Sequence, residues 1–257
     1  MVKQWITFDL DGTLMQNPFG KGVFPEVEEQ ISAALQRPFR ATEALVREHE
    51  LRMQQGLTVA AYDWDDMVRR LLAELQLQLD LDVERLVLKH SAAPKIYLLE
   101  ETVIPTLRRL AERGYSLAAV TNGFYKYQYP VMERLGLGEW FDEIVTPEKA
   151  GCGKPDAGIL RLLQETGRIV AHVGDRLDHD VYMANRAGVP SVLIHRKLPE
   201  PLRALTPQER AANAEFAAIC AEKLQAENPL AAVDPYPAAY KPTHVLVRLE
   251  ELLDCVT

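Results

Sequence analysis

Four short stretches place reactive side chains where apolar runs stop. In ITFDLDGTL (6–14), Asp9 ends such a run and Asp11 follows two residues later, ahead of Gly12 and Thr13. SLAAVTNG (116–123) ends in Thr121, Asn122 and Gly123, and GCGKPD (151–156) carries Lys154. RIVAHVGD runs into RLDHD, giving Asp175, Asp178 and Asp180. In open parallel sheets ligands bind at the carboxyl ends of the strands. One ammonium, one hydroxyl, one amide and several carboxylates would then converge on one crevice.

The chemistry that suits this set is phosphoryl transfer through an aspartate. Carboxylates alone repel a phosphate dianion, but they hold a hard divalent cation well, because such ions take oxygen ligands. Mg2+ bound by Asp9, Asp11 and Asp175, with Asp180 as ligand to it or to a bound water, would bridge enzyme and phosphate. Asp9 could attack phosphorus and form an acyl phosphate. Asp11 would protonate the leaving alkoxide and then activate the hydrolytic water. Thr121 and Asn122, with backbone N–H groups near Gly12 and Gly123, would hold the equatorial oxygens. Lys154 would add a fixed positive charge beside the phosphoryl group and Asp9. Gly12 gives the loop a backbone conformation closed to other residues, so that both acids can face the crevice.

The elements that position these residues follow from periodicity. QWITF (4–8) reads as a short buried strand and 17–23 as a turn-rich break. From 24 to 95 the pattern is helical throughout. PEVEEQISAALQ is one amphipathic run, 58–76 is a second with Thr58 as its cap, and DVERLVLKH a third with Asp82 as N-cap. After Pro94, helices alternate with short apolar strands at 116–121, 141–146, 168–175 and 190–195, with a helix spanning 156–167. That alternation predicts an α/β fold, a parallel sheet with helices on both faces. The all-helical segment is then an insertion after the first strand. A helix over 206–225, between Pro-rich stretches, marks a second insertion at 196–242, and THVLVRLEELLDCV resumes the strand–helix rhythm.

With 257 residues, the chain can form one large domain or two unequal ones. Its net charge of −8 leaves no electrostatic footprint for nucleic acid or an anionic membrane, so an anion site must be built locally. No apolar stretch approaches the roughly 20 residues of a membrane helix. The N-terminus enters WITFDL without a leader pattern, and Cys152, Cys220 and Cys255 are too sparse for a disulfide framework. A cytoplasmic protein with reduced thiols is expected, either a monomer or a homodimer.

FDLDGTL, TNG, GKPD and GDRLDHD, in this order, resemble the haloacid dehalogenase-like (HAD) hydrolase superfamily. The resemblance covers nearly the whole chain outside 196–242. It implies a Rossmann-like core over 1–17 and 97–257, an inserted helical cap over 18–96, an aspartyl-phosphate mechanism and Mg2+ dependence. Residue by residue it implies Asp9 as nucleophile, Asp11 as acid/base, Thr121 as the motif-two hydroxyl, Lys154 as the motif-three lysine, and Asp175 and Asp180 as the motif-four acids. GDRLDHDVYMANRAG is similar to the branch of small-metabolite and nucleotide phosphatases. The family's dehalogenase pattern lacks the second aspartate of motif one, so Asp11 argues against that activity.

The expected function is therefore a Mg2+-dependent phosphatase acting on a small phosphorylated metabolite. A phosphomutase would keep both aspartates and is the alternative; a non-catalytic binding protein would carry a damaged first motif, and this one is intact. Outside the motifs, Tyr62 and Trp64 read as helix core before they read as substrate contacts, and Lys21 as a solvated hinge lysine. The Asp178 carboxylate could cap a helix or meet the metal. His49, His90 and His179 have no partner legible in the sequence, EELLD reads as a solvated face, and the 196–242 insertion could touch the cap, support a dimer or do neither.

Overall fold

The computed structural model describes residues 2–256. Strand β1 (Lys3–Phe8) leads through the first motif to the two-residue β2 (Met15–Gln16). Helices α1 (Phe24–Leu35), α2 (Ala41–Gln54), α3 (Thr58–Ala61), α4 (Trp64–Glu74) and α5 (Val83–His90) follow. The chain returns through β3 (Tyr97–Leu98), which pairs antiparallel with β2. Then come α6 (Val103–Glu112), β4 (Ser116–Val120), α7 (Tyr125–Arg134), β5 (Glu143–Val145), α8 (Pro147–Ala150), α9 (Arg161–Gln164), β6 (Gly167–Gly174), α10 (Tyr182–Arg186) and β7 (Ser191–Ile194). Helices α11 (Glu200–Arg203), α12 (Pro207–Ala212) and α13 (Ala214–Glu227) precede β8 (His244–Leu246) and α14 (Leu252–Cys255).

The long strands form one sheet in the order β5-β4-β1-β6-β7-β8, with every pairing parallel. Alternation along the strands explains why both faces are covered. Leu117 and Ala119 of β4 share a core with Leu107 and Leu110 of α6 and with Val131 and Met132 of α7. Ala118 and Val120, pointing the other way, pack with Leu160, Leu163, Met183 and Ala184. The expected α/β architecture is observed, with β1 central and its carboxyl end between those of β4 and β6. Among the described residues, no helix is long and apolar enough to cross a membrane.

Several helices depart from the sequence expectation for local reasons. The run 58–76 is two helices. Asp63 breaks it by accepting from Asp66 N at 3.1 Å, and so caps α4 in place of Thr58. The run 206–225 breaks in the same way at Asn213, whose side chain caps α13. Residues 19–23 form a wide helical turn that runs straight into α1, and 156–167 divides into a 3-10 turn and the short α9. Asp82 does cap α5, accepting from Arg85 N at 2.9 Å.

The 196–242 insertion packs onto the core and onto the turn at 177–181. Leu202, Phe216, Cys220 and Leu224 share a cluster with Leu177, Val181, Leu193 and Val245. Its anchor is Arg210, whose buried guanidinium donates to the carbonyls of Leu202, Arg203 and Val245 and to both oxygens of Glu251. The EELLD segment is thus not a purely solvated face, since Glu251 is half of this ion pair.

Burial works against the Glu251 charge, but Arg210 and the Val247 N–H hold its carboxyl below the usual range. Removing one member of such a pair strands the other, so Arg210→Met should cost about 3 kcal/mol of stability in urea unfolding at pH 7. A folded pKa below the unfolded one stabilises above the ordinary carboxylate range and loses that contribution as pH falls through it. The deficit of the variant should therefore shrink on acidification. A deficit below about 1 kcal/mol at pH 7 would show that the pair does not anchor the insertion.

Candidate active site

The first motif is shaped by hydrogen bonds to its own backbone. Asp9 N donates to Val173 O at 2.8 Å, which fixes the end of β1 against β6. Beyond it the chain wraps tightly, as the N–H groups of Leu14 and Met15 both donate to Leu10 O at 2.8 and 3.0 Å. Gly12 sits at φ +82°, and a Cβ there would lie 2.7 Å from Asp175 Oδ2. Both facts exclude a side chain at this position.

Lys154 is the centre of the site. Its side chain is buried, and Nζ donates to Asp9 Oδ1 at 2.6 Å and to Asp180 Oδ1 at 2.7 Å. Asn122 secures the loop that delivers it: Lys154 N donates to Asn122 Oδ1 at 2.7 Å, and Asn122 Nδ2 donates back to Lys154 O at 2.8 Å. Thr121 Oγ1 accepts from Gly123 N at 3.1 Å. The Gly12 N–H donates to Met15 O at 3.1 Å. The N–H groups of Gly12 and Gly123 themselves are therefore engaged within the protein, and the Asn122 amide serves Lys154.

Asp9, Asp175 and Asp180 each offer an oxygen within 4.8 Å of the others. The Asp11 carboxylate lies outside that cluster and accepts from Gln128 Nε2 at 2.6 Å. The electrostatics are uneven. Burial pushes Asp9 up to about 6 against the pull of Lys154, with Asp180 adding repulsion. Burial, then the Asp9 and Asp180 charges, raise Asp175 to about 7. Burial also raises Asp11, opposed by its bond to Gln128. Asp180 goes the other way: burial resists its charge, but Lys154 and His172 hold it well below the usual range. Lys154 is raised, because the two carboxylates outweigh its own burial.

These residues fit a hard divalent cation. Three carboxylates cluster beside one ammonium, and burial disfavours the charge of two of them, a cost that Mg2+ would offset. Asp180 is the least free of the three, because Oδ1 already takes Lys154 and Oδ2 accepts from Arg176 N at 3.0 Å.

Other contacts of the site were not legible in the sequence. Buried Thr13 donates to Asp9 Oδ2 at 3.1 Å, so both oxygens of Asp9 are held. His172 sits beneath, with Nε2 at 3.2 Å from Asp180 Oδ1 and Nδ1 at 2.8 Å from Thr7 Oγ1. Arg196, just past β7, donates to Gly12 O at 2.9 Å and Thr13 O at 2.7 Å while Glu100 holds its Nε at 2.8 Å. The 196–242 insertion reaches the fourth motif, where Glu227 Oε2 accepts from Leu177 N at 2.8 Å and Asp178 N at 3.3 Å. The Asp178 carboxylate pairs with the guanidinium of Arg176. Residue type flags none of these, because each depends on a partner brought near only by the fold.

The helical segment also reaches the site. Thr58 Oγ1 accepts from Gly153 N at 3.1 Å, beside Lys154. Burial pushes the Tyr62 phenol up, opposed by the neighbouring Asn122 amide and by the Arg176 and Lys154 charges. Trp64 instead packs among Phe19, Phe24 and His49. His49 Nδ1 lies 2.6 Å from Ala61 O and His90 Nε2 lies 2.7 Å from Glu26, while burial drives His179 down to about 4.

A family model described as haloacid dehalogenase-like hydrolase matches residues 3–188. The glyceraldehyde 3-phosphate phosphatase of Methanopyrus kandleri is 43% identical over 98 residues, covering 37% of this chain and 42% of that protein. The chain thus spans less than half the length of this relative. The glyceraldehyde 3-phosphate phosphatase of Methanocaldococcus jannaschii is 28% identical over 200 residues, 74% of this chain and 83% of that one. The crystal structure of a HAD phosphatase from Thermococcus onnurineus matches with TM-score 0.62 at 27% identity, covering 77% of this chain and 88% of that one.

Cation binding can be read without an activity assay. Mg2+ at about 100 times its Kd should stabilise the fold by about 2.7 kcal/mol. For a chain of this size that raises Tm by roughly 5–10 °C. Asp175→Asn should remove the shift, and an equal shift in the variant would place the ion elsewhere.

Proposed function

This chain belongs to the haloacid dehalogenase-like hydrolase family, and from that premise we propose that it is a Mg2+-dependent phosphatase. It hydrolyses the phosphomonoester of a small metabolite through an aspartyl phosphate on Asp9. The observation that carries this reading is the buried Lys154 ammonium shared by Asp9 and Asp180, with Asp175 clustered beside them and Asp11 adjacent in the chain. The similarity to glyceraldehyde 3-phosphate phosphatases supports a small phosphorylated substrate.

Bound Mg2+, held by Asp9 and Asp175 with Asp180 behind them, would neutralise charge between carboxylate and phosphate. The protein's own groups do the rest. Lys154 and Thr13 hold the Asp9 carboxylate in one orientation, so little motion is needed before attack. An Asp9 oxygen forms a bond to phosphorus as the ester P–O bond breaks. Asp11 gives its proton to the departing oxygen. The same carboxylate then takes a proton from water, which attacks the acyl phosphate and releases Asp9 and inorganic phosphate. The remaining N–H of Lys154 and the hydroxyl proton of Thr121 would meet the equatorial oxygens as charge spreads over them.

We further propose that residues 18–96 act as a cap over a core formed by 1–17 and 97–257. Thr58 meets the Lys154 loop through Gly153 N, and Asn122 lies near enough to Tyr62 to bear on its phenol. A cap that closes this way excludes water, and it also excludes a macromolecular substrate. The free thiols at Cys152, Cys220 and Cys255 support a reducing, cytoplasmic setting.

Phosphate release from a panel of small phosphate esters should require Mg2+ and stop with a chelator. Asp9→Asn should lower it by more than about a thousandfold with Tm retained. Unchanged turnover in that variant overturns the mechanism. An isomeric phosphate ester with little free phosphate would identify a mutase instead.

A further inference from the structure

Gln128 is a buried amide with no part in the chemistry described so far. Its Nε2 donates to Asp11 Oδ2 at 2.6 Å, while its Oε1 is buried with no partner among the described residues. A primary amide buried with one end unpaired does not favour folding. The main chain has also made room for it. A Cβ on Gly123, in the second motif, would lie 2.1 Å from Gln128 Nε2, so only glycine lets the amide reach Asp11.

We propose that Gln128 is the positioning residue for the acid/base carboxylate Asp11, and that helix α7 presents it when the cap is seated. This rests on the phosphatase reading above. A neutral amide suits the task, because it can bond a carboxyl group through either end without adding charge. The two residues before Gln128 on α7 hold the helical segment. Lys126 Nζ donates to Asp65 Oδ2 at 2.5 Å, and the buried Tyr127 hydroxyl donates to the same oxygen at 3.0 Å. Asp65 N in turn donates to Tyr127 Oη at 3.1 Å, and Asp65 Oδ1 accepts from Val83 N at 2.7 Å, tying α4 to α5. Three consecutive residues of one helix thus hold the cap and the acid/base group together. A shift of the helical segment away from the core pulls on the turn that aims Gln128.

The test separates positioning of a proton donor from general damage. An alkoxide leaving group needs the Asp11 proton, whereas p-nitrophenolate leaves without it. The ratio kcat/KM reports steps up to the first irreversible one, here transfer of the phosphoryl group to Asp9. Gln128→Met keeps the volume and removes the donor. Its kcat/KM should fall by at least about thirtyfold on glycerol 3-phosphate and less than about threefold on p-nitrophenyl phosphate, with the glycerol 3-phosphate loss in kcat and not in KM. Asp65→Ala should show the same selective loss, and the double variant should lose no more than the worse single one. Equal loss on both esters, or no loss, overturns the positioning role while leaving the phosphatase reading intact. Additive losses in the double variant overturn the link to the cap. Absence of turnover on both esters in the wild type overturns the phosphatase reading and this proposal with it.

Discussion

The arrangement depends on one buried ammonium. Lys154 lies between two carboxylates in a region that water barely reaches, and removing a carboxylate from water costs several kcal/mol per ion. Burial resists the Asp180 charge there, and Lys154 and His172 hold its carboxyl well below the usual range. The surrounding structure is arranged to deliver that cation. β4 and β6 flank β1, which brings the carboxyl ends of three strands side by side. Asn122, at the end of β4, clamps the backbone of Lys154 on both sides. An amide that looks like a phosphate ligand in the sequence is, in the structure, the bracket of the cation.

The loops around the acids are held by polar contacts from distant parts of the chain. Arg196 closes on the carbonyls of Gly12 and Thr13, and Glu100 fixes Arg196 while also accepting from Leu249 N. Glu227 caps the turn that carries Asp178 and Asp180. The 196–242 insertion therefore buttresses the site from outside. It shares an apolar cluster with Leu177 and Val181 of that same turn, so packing and capping act on one loop.

What the sequence could show follows the range of the interaction concerned. The parallel sheet was legible because strand burial and helix amphipathicity repeat over a few residues, and the motifs were legible because each is contiguous. The helix breaks at Asp63 and Asn213 were not, since an apolar period continues through them while a side chain competes for the backbone. Gln128, Arg196, His172 and Glu227 were missed for a different reason. Each acts on a partner between 8 and 184 positions away, and no local pattern marks it. Even within the quoted first motif, Thr13 gave no sign that it would hold the second oxygen of Asp9.

The division of labour between stability and chemistry follows from these contacts. The apolar clusters on the two faces of the sheet supply the driving force for folding, through residues such as Ile6, Phe8 and Leu107 on one face and Val120 and Leu160 on the other. The crevice works against it. Asp9, Asp11 and Asp175 are all raised by burial, and Asp11 and Gln128 each keep a buried oxygen without a partner among the described residues. A protein selected for stability alone would replace such groups with apolar ones, because a half-satisfied polar network is worse than none. Their retention at the ends of rigid strands means that the cost of dehydrating and aiming these carboxylates is met during folding. On the proposed phosphatase reading it would not have to be met again when a phosphate arrives, and that is the physical content of preorganisation.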